Sequence, residues 1–299
     1  MVASSTLLDM EFGDRARAAP RMLSPGNGGR WIAIGLIGLA VAWVVYQILV
    51  NPGFQWPVVA DFMLDPTVLE GVGMTIKLTI LVMMIGMVIG VPIAVMNVSQ
   101  SRLLKLCGGA FIWFFRGVPP LVQLVFWYNL ASLFPDLMLG IPFGGPKFFS
   151  VSSTDAISSF GAAMLGLGLV EAAYMAEIVR GGLVAVDPGQ VEASKALGHG
   201  PFQTLRMVIL PQAMKVIIPP TGNQFIGALK FTSLASVAAL GELMHSVELV
   251  YSNNFQIVPL LIVAALWYVI MVSILTVGQH FLERHYSRGF RQKTMGAGA

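Results

Sequence analysis

Residues Asp187–Pro211 read DPGQVEASKALGHGPFQTLRMVILP, and this stretch differs from everything on either side of it. Long apolar runs flank it, whereas here charges, amides and turn residues return together. Asp187 suits the N-cap of a helix whose first residue is Pro188, where a missing N–H costs nothing. Gln190 stands three residues beyond the cap, as a capping box requires. Gly198 suits the left-handed position that closes such a helix. Gly200 and Pro201 start a second short helix, which Pro211 is expected to stop. The spacing predicts two short helices and a tight turn, exposed to water between two membrane spans. Such a segment is a handle for something outside the membrane.

Working outward, the chain of 299 residues is 56% hydrophobic and 11% charged. A soluble domain carries about a quarter charged residues, so the composition is that of a membrane protein. The single cysteine, Cys107, cannot form an internal disulfide. His199, His245, His280 and His285 stand at no ligand spacing, so no metal site is expected. No nucleic-acid partner is expected either.

Met1–Arg30 is polar and carries Arg15, Arg17, Arg21 and Arg30, the pattern of a cytoplasmic tail. Trp31–Val50 is an uncharged run close to the ~20 residues that cross ~30 Å of hydrocarbon. Its polar leader is long and no clean A-x-A site follows, so a retained span is expected rather than a signal peptide. Further spans are expected over Thr75–Val98, Phe111–Phe134, Ala156–Val179, Ala213–Leu240 and Ile257–Gln279. Between them, Asn51–Gly73, Pro135–Asp155 and Glu242–Asn254 read as outside loops. Of 18 basic residues, all but Lys77, Lys147 and Lys230 fall on inner segments or span ends. The positive-inside rule then gives six spans with both termini cytoplasmic, and puts Asp187–Pro211 in the cytoplasm.

Within the spans a few residues stand out. Gly86, Gly90 and Ala94 recur every four residues and let a neighbouring helix approach closely. Arg116, Gly117, Pro119 and Pro120 break the third span, and broken backbone at membrane depth needs protein or a wet cavity over it. Glu177 and Arg180 are three apart and can pair, while Glu171 lies deeper, with Arg116 a possible partner. These four read first as structural ion pairs. Lys230, near mid-span, faces either a pathway or a partner charge. Asn223, Thr232, Ser233, Gln123 and Asn129 are pathway candidates too, or polar bridges between helices.

No nucleotide-binding G-x-x-x-x-G-K-[ST], G-x-S-x-G elbow or H-E-x-x-H motif occurs. Energy for uphill movement would then come from a partner. The competing reading, an ATPase-independent secondary transporter or channel, calls for inverted repeats and mid-membrane ion ligands.

The opening stretch resembles the EAA loop of ABC importer permeases, the cytoplasmic segment that docks into a groove on the ATPase subunit. The pattern falls on Glu192, Ala193, Ser194, Gly198, Val208, Leu210 and Pro211, with Ser194 in place of the third Ala and Val208 in place of Ile. EAAYMAEIVRGG at Glu171–Gly182, FFRGVPPLVQ at Phe114–Gln123 and the run Leu210–Val237 are similar to core spans of the polar amino acid (histidine/glutamine-type) branch. The resemblance covers about Gly71 to Gly289. It implies an all-α fold: a five-helix permease core over 71–282, one extra N-terminal transmembrane helix over 31–50, and cytoplasmic tails over 1–30 and 283–299. It implies residence in the bacterial cytoplasmic (inner) membrane and a complex of two permeases, copies or paralogues, with two ATP-binding subunits. An extracytoplasmic binding protein would deliver a polar amino acid. ATP and Mg would be used by the ATPase and none by this chain. Glu192, Ala193, Ser194, Leu197, Gly198, Leu210 and Pro211 would carry the coupling.

Overall fold

The computed structural model describes residues 27–133, 136–140, 147–152 and 158–286. The tails expected before residue 27 and after residue 286 lie outside the described residues. The chain divides into two units at Phe54/Gln55. The first holds α1 (Asn27–Val50) and a 3-10 turn, Pro52–Phe54. The 24 residues of α1, at ~1.5 Å each, cover the hydrocarbon thickness, and its side chains from Gly29 to Val50 are all exposed.

The second unit begins with α2 (Trp56–Met63) and α3 (Pro66–Val98), where an outside loop running to Gly73 was expected. Asp65 caps α3 by accepting from Thr67 N–H at 2.8 Å, and Pro66 takes the first helical position. The expected third span is broken. α4 (Arg102–Gly117) starts earlier than expected because Ser101 caps it, and α5 (Pro120–Tyr128) leaves it at 95°. α6 (Leu130–Leu133) follows. The fold is helical as expected, with one short hairpin among the described residues. β1 (Asp136–Gly140) pairs antiparallel with β2 (Lys147–Ser152), with an irregularity between Leu139 and Gly140.

α7 (Ser159–Val184) is the most buried of the long apolar helices. It packs against α3 and α5, and against α10 (Leu210–Phe231) further along the chain. Between α7 and α10 come α8 (Pro188–Ala196), α9 (Pro201–Thr204) and a π turn over Leu205–Ile209. α10 continues into a 3-10 segment, Thr232–Ala238, which ends at Ala239 with φ 54°. α11 (Leu243–Asn254) and α12 (Ile257–Tyr286) complete the chain. Among the described residues, four helices are long and apolar enough to cross a membrane, and two bent pairs, α4–α5 and Pro201–Ala238 with α11, each qualify as one broken span.

α11 corrects the expected outside loop over Glu242–Asn254. Glu242 is fully buried as its N-cap: Oε1 accepts from His245 N–H at 2.9 Å and Oε2 from Met244 N–H at 3.0 Å. Tyr268 of α12 donates to the same carboxylate at 3.0 Å, and Thr75 of α3 accepts from Leu243 N–H at 3.1 Å. One polar knot thereby joins α3, α11 and α12.

The small-residue face of α3 meets α7, as its spacing predicts. A Cβ on Gly90 would stand 2.7 Å from Ala172 O, and one on Gly86 2.7 Å from Glu171 Cγ. Without a hydrophobic drive between helices in lipid, such close backbone approach supplies the packing energy. Gly90→Val is expected to lower stability by about 1–3 kcal/mol in thermal melts of the detergent-solubilised protein. Gly73→Val, where an added Cβ meets nothing within 4 Å, is expected to stay within about 0.5 kcal/mol of the parent.

Candidate functional site

The segment Asp187–Pro211 folds as two short helices and a turn. Asp187 Oδ1 accepts from Gly189 N–H at 2.8 Å, so the cap closes one residue short of the Gln190 position that a capping box uses. Gly198 adopts φ 81°, and both Schellman bonds form, Gly198 N–H to Lys195 O at 2.9 Å and His199 N–H to Ser194 O at 3.2 Å. Gln203 Oε1 accepts from Gly200 N–H at 3.0 Å to start α9.

Pro211 does not stop the second helix. The chain passes from α9 through the π turn into α10, with Pro211 in the first turn of α10. A proline ring ordinarily collides with the carbonyl four residues back, here that of Met207. That carbonyl lies inside the π turn, where the wider i→i+5 winding makes room.

Of the predicted coupling residues, Glu192, Ala193, Leu197, Gly198, Leu210 and Pro211 are exposed, and Ser194 is buried. Between Pro188 and Leu210 only two side chains are buried, Ser194 and Thr204, and both are polar. Meanwhile Leu197 is 77% exposed, Phe202 72% and Met207 62%. Large apolar side chains exposed on a segment with no apolar core of its own mark an interaction surface. Phe202 and Met207 were not picked out from sequence, although apolar residues in so polar a stretch are a signal in themselves.

The pathway candidates separate. Asn223 and Lys230, two turns apart, are both exposed on α10. Gly227 lies between them with open space where a Cβ would be. Thr232 is fully buried and donates to Leu229 O at 2.6 Å, and Ser233 donates to Lys230 O at 2.8 Å. Asn129 donates to Val125 O at 2.8 Å at the end of α5. Gln123 is buried, and its Nε2 donates to Phe115 O and Val118 O, both at 2.9 Å. It therefore ties down a carbonyl in the last turn of α4 and that of its C-cap, Val118, at the 95° break. The open polar face keeps Asn223 and Lys230.

Glu177 and Arg180 pair through two contacts, Nε to Oε2 and Nη2 to Oε1. Arg116 does not reach Glu171. Its guanidinium lies over the Tyr174 ring, 5.1 Å from the centroid. Glu171 is buried and takes Gln224 Nε2 of α10 as donor to Oε2 at 3.0 Å. This bond joins the two spans that flank the loop, and nothing local in the sequence signals it.

A family model of the inner membrane component of binding-protein-dependent transport systems matches residues 77–288. The chain belongs to this family of permeases. Its matched region takes in α7, the loop and α10 whole, and leaves α1 and α2 outside. The permease is similar to the arginine transport system permease protein ArgU of Corynebacterium glutamicum, 44% identical over 264 residues, 87% of this chain and 81% of the relative. It is similar also to the probable amino-acid permease protein YxeN of Bacillus subtilis, 34% identical over 77% of this chain and 97% of that one. Among solved structures, an amino acid ABC transporter crystallised with histidines matches with TM-score 0.61 and 35% identity, over 74% of this permease and 94% of that chain. The methionine transporter MetNI shares the fold, with TM-score 0.58 at 20% identity over 74% of this permease and 96% of that chain. Membership sets aside the reading of an independent secondary transporter or channel. The protein is a transport subunit of an ABC importer.

Since Gln224 supplies the bond to the buried Glu171, Gln224→Leu is expected to cost about 1–3 kcal/mol of stability in the same melting assay.

Proposed function

We propose that this permease carries a polar amino acid across the bacterial inner membrane, and that Asp187–Pro211 is the cytoplasmic loop through which a separate ATPase drives it. The observation that carries this reading is the exposure of Leu197, Phe202 and Met207 on a firmly capped segment whose two fully buried side chains are polar. A partner groove that buries them completes the loop. Six spans follow if each bent pair counts as one: α1, α3, α4–α5, α7, the broken pair Pro201–Ala238 with α11, and α12. The distribution of Lys and Arg then places both termini and the loop on the cytoplasmic side. The permease core runs over 71–282, with 31–50 as the added span and 1–30 and 283–299 as tails.

The ATPase subunit binds ATP and Mg; this chain binds neither. A second permease, copy or paralogue, closes the open face of α10, so that Asn223 and Lys230 line the path between the two. The cleft of ≈570 Å³ beside Thr221, Gly222 and Gln279 is apolar and does not suit a polar amino acid. Every amino acid substrate brings a carboxylate, and the ammonium of Lys230 is a charge-assisted partner for it. An extracytoplasmic binding protein delivers the substrate. ATP binding and hydrolysis shift the pair of permeases between outward and inward states by differential affinity. The likeness to ArgU makes arginine the first substrate to try.

Lys230→Met is expected to lower uptake at least about tenfold, equivalent to about 1.4 kcal/mol; normal uptake removes Lys230 from the path. Gly198→Val forces a β-branched residue into the left-handed region at about 1–2 kcal/mol. The variant is expected in the membrane at normal level but with ATP hydrolysis uncoupled from uptake. Phe202→Cys on a Cys107→Ser background, in permease expressed without its ATPase so that the loop stays uncovered, is expected to react with an impermeant maleimide only in inside-out vesicles; labelling from the periplasmic side contradicts the topology.

A further inference from the structure

We infer that the Ser194 hydroxyl is a positioning group that locks the two loop helices into one rigid lever, through a buried hydrogen-bond chain with His199 and Thr204. The inference rests on the reading of Asp187–Pro211 as the coupling loop.

A lever has to transmit force without bending; Val191 and Ile209 lean on the apolar cluster around Val186 and Ala213, but nothing apolar is buried between the two loop helices. The segment's two buried side chains are Ser194, 3% exposed in α8, and Thr204, 4% exposed at the end of α9. Their hydroxyl oxygens are 3.0 Å apart. Ser194 Oγ is also 3.1 Å from Nδ1 of His199, which stands in the turn between the helices. The chain therefore touches all three parts of the segment.

A hydroxyl in the middle suits this place because it donates and accepts at once. With Nδ1 bare, Ser194 donates to His199 and accepts from Thr204. With Nδ1 carrying hydrogen, His199 donates to Ser194, which donates to Thr204. The lock closes in either tautomer. Backbone bonds support it from the same residue, since Ser194 O takes the second Schellman bond from His199 N–H. Buried hydroxyls that lose their partner carry the full desolvation cost, so the chain breaks as a unit. Serine stands here where the EAA pattern has alanine. An alanine side chain thus suits this backbone, and Ser194→Ala removes the hydroxyl bonds without a packing fault.

The test uses the whole importer, permease with its ATPase and binding protein, in proteoliposomes, comparing Ser194→Ala, Thr204→Val and the double variant. Two readouts are taken: amide hydrogen exchange across residues 188–204, and import of a radiolabelled amino-acid mixture per ATP hydrolysed. Each single variant is expected to speed exchange about tenfold, matching about 1.4 kcal/mol of lost local stability. Each is expected to lower import per ATP about threefold or more, and the double variant is no worse than either single, because both cut one chain. Parental exchange in Ser194→Ala overturns the lock. A parental import ratio overturns its part in transmission, as do losses that add in the double variant. Failure of the coupling-loop reading is seen separately, as normal coupling in Gly198→Val while exchange in Ser194→Ala still rises.

Discussion

A methyl group added at Gly90 would lie 2.7 Å from the carbonyl oxygen of Ala172, and most of the permease core is arranged around that closeness. Helices in lipid gain nothing from hiding apolar surface from one another, since the surroundings are equally apolar. They gain by bringing backbones near enough for dense van der Waals contact, and small residues make that possible. Gly86, Gly90 and Ala94 supply the small face on α3, and Gly168, Ala172 and Ala176 supply small residues on α7. Once α7 is seated there, α5 packs on Gly166, and α10 is held through the bond between Gln224 and Glu171. The two spans that flank the loop thus share one scaffold, and a displacement of the loop acts on that scaffold through both of its ends.

The loop is built on other principles. It stands outside the apolar spans, and its order comes from caps, a Schellman turn and a short buried chain of polar side chains. Val191 and Ile209 lean on the apolar cluster behind it, while Leu197, Phe202 and Met207 face outward. Order inside the spans and order in the loop are consequently set by different residues. The same division holds at α10, where Thr232 turns inward to a backbone carbonyl while Asn223 and Lys230 stay on the exposed face.

The breaks in the spans also have physical owners. At α4–α5 the chain turns by 95°, and the amide of Gln123 satisfies two carbonyls that the turn would otherwise leave without donors. At the start of α11 the carboxylate of Glu242 does the equivalent for two amide hydrogens and a tyrosine hydroxyl. In both places a polar residue that looks like pathway or loop material from sequence is the anchor of a bend.

Much of what depends on neighbours along the chain was legible in the sequence by itself, though Pro211 was not the stop it suggested. The apolar runs, the small face of α3, the break at Pro119–Pro120, the Asp187 cap and the left-handed Gly198 follow from backbone rules that act over a few residues. The importer family followed too, because its motifs are local and ordered. Tertiary structure decided everything that depends on residues far apart. Glu171 took Gln224 rather than Arg116, since only the packing of α7 on α10 brings those two together. The Glu242 cap of α11 is buried because Thr75 and Tyr268 meet there, and Leu137 and Met138 became a strand because they pair with Val151 and Ser150. Ser194 reads as a neutral exchange for alanine until folding places Thr204 and His199 around its hydroxyl. A hydrogen bond across a fold has no signature in the spacing of either partner, and that is where the sequence stops.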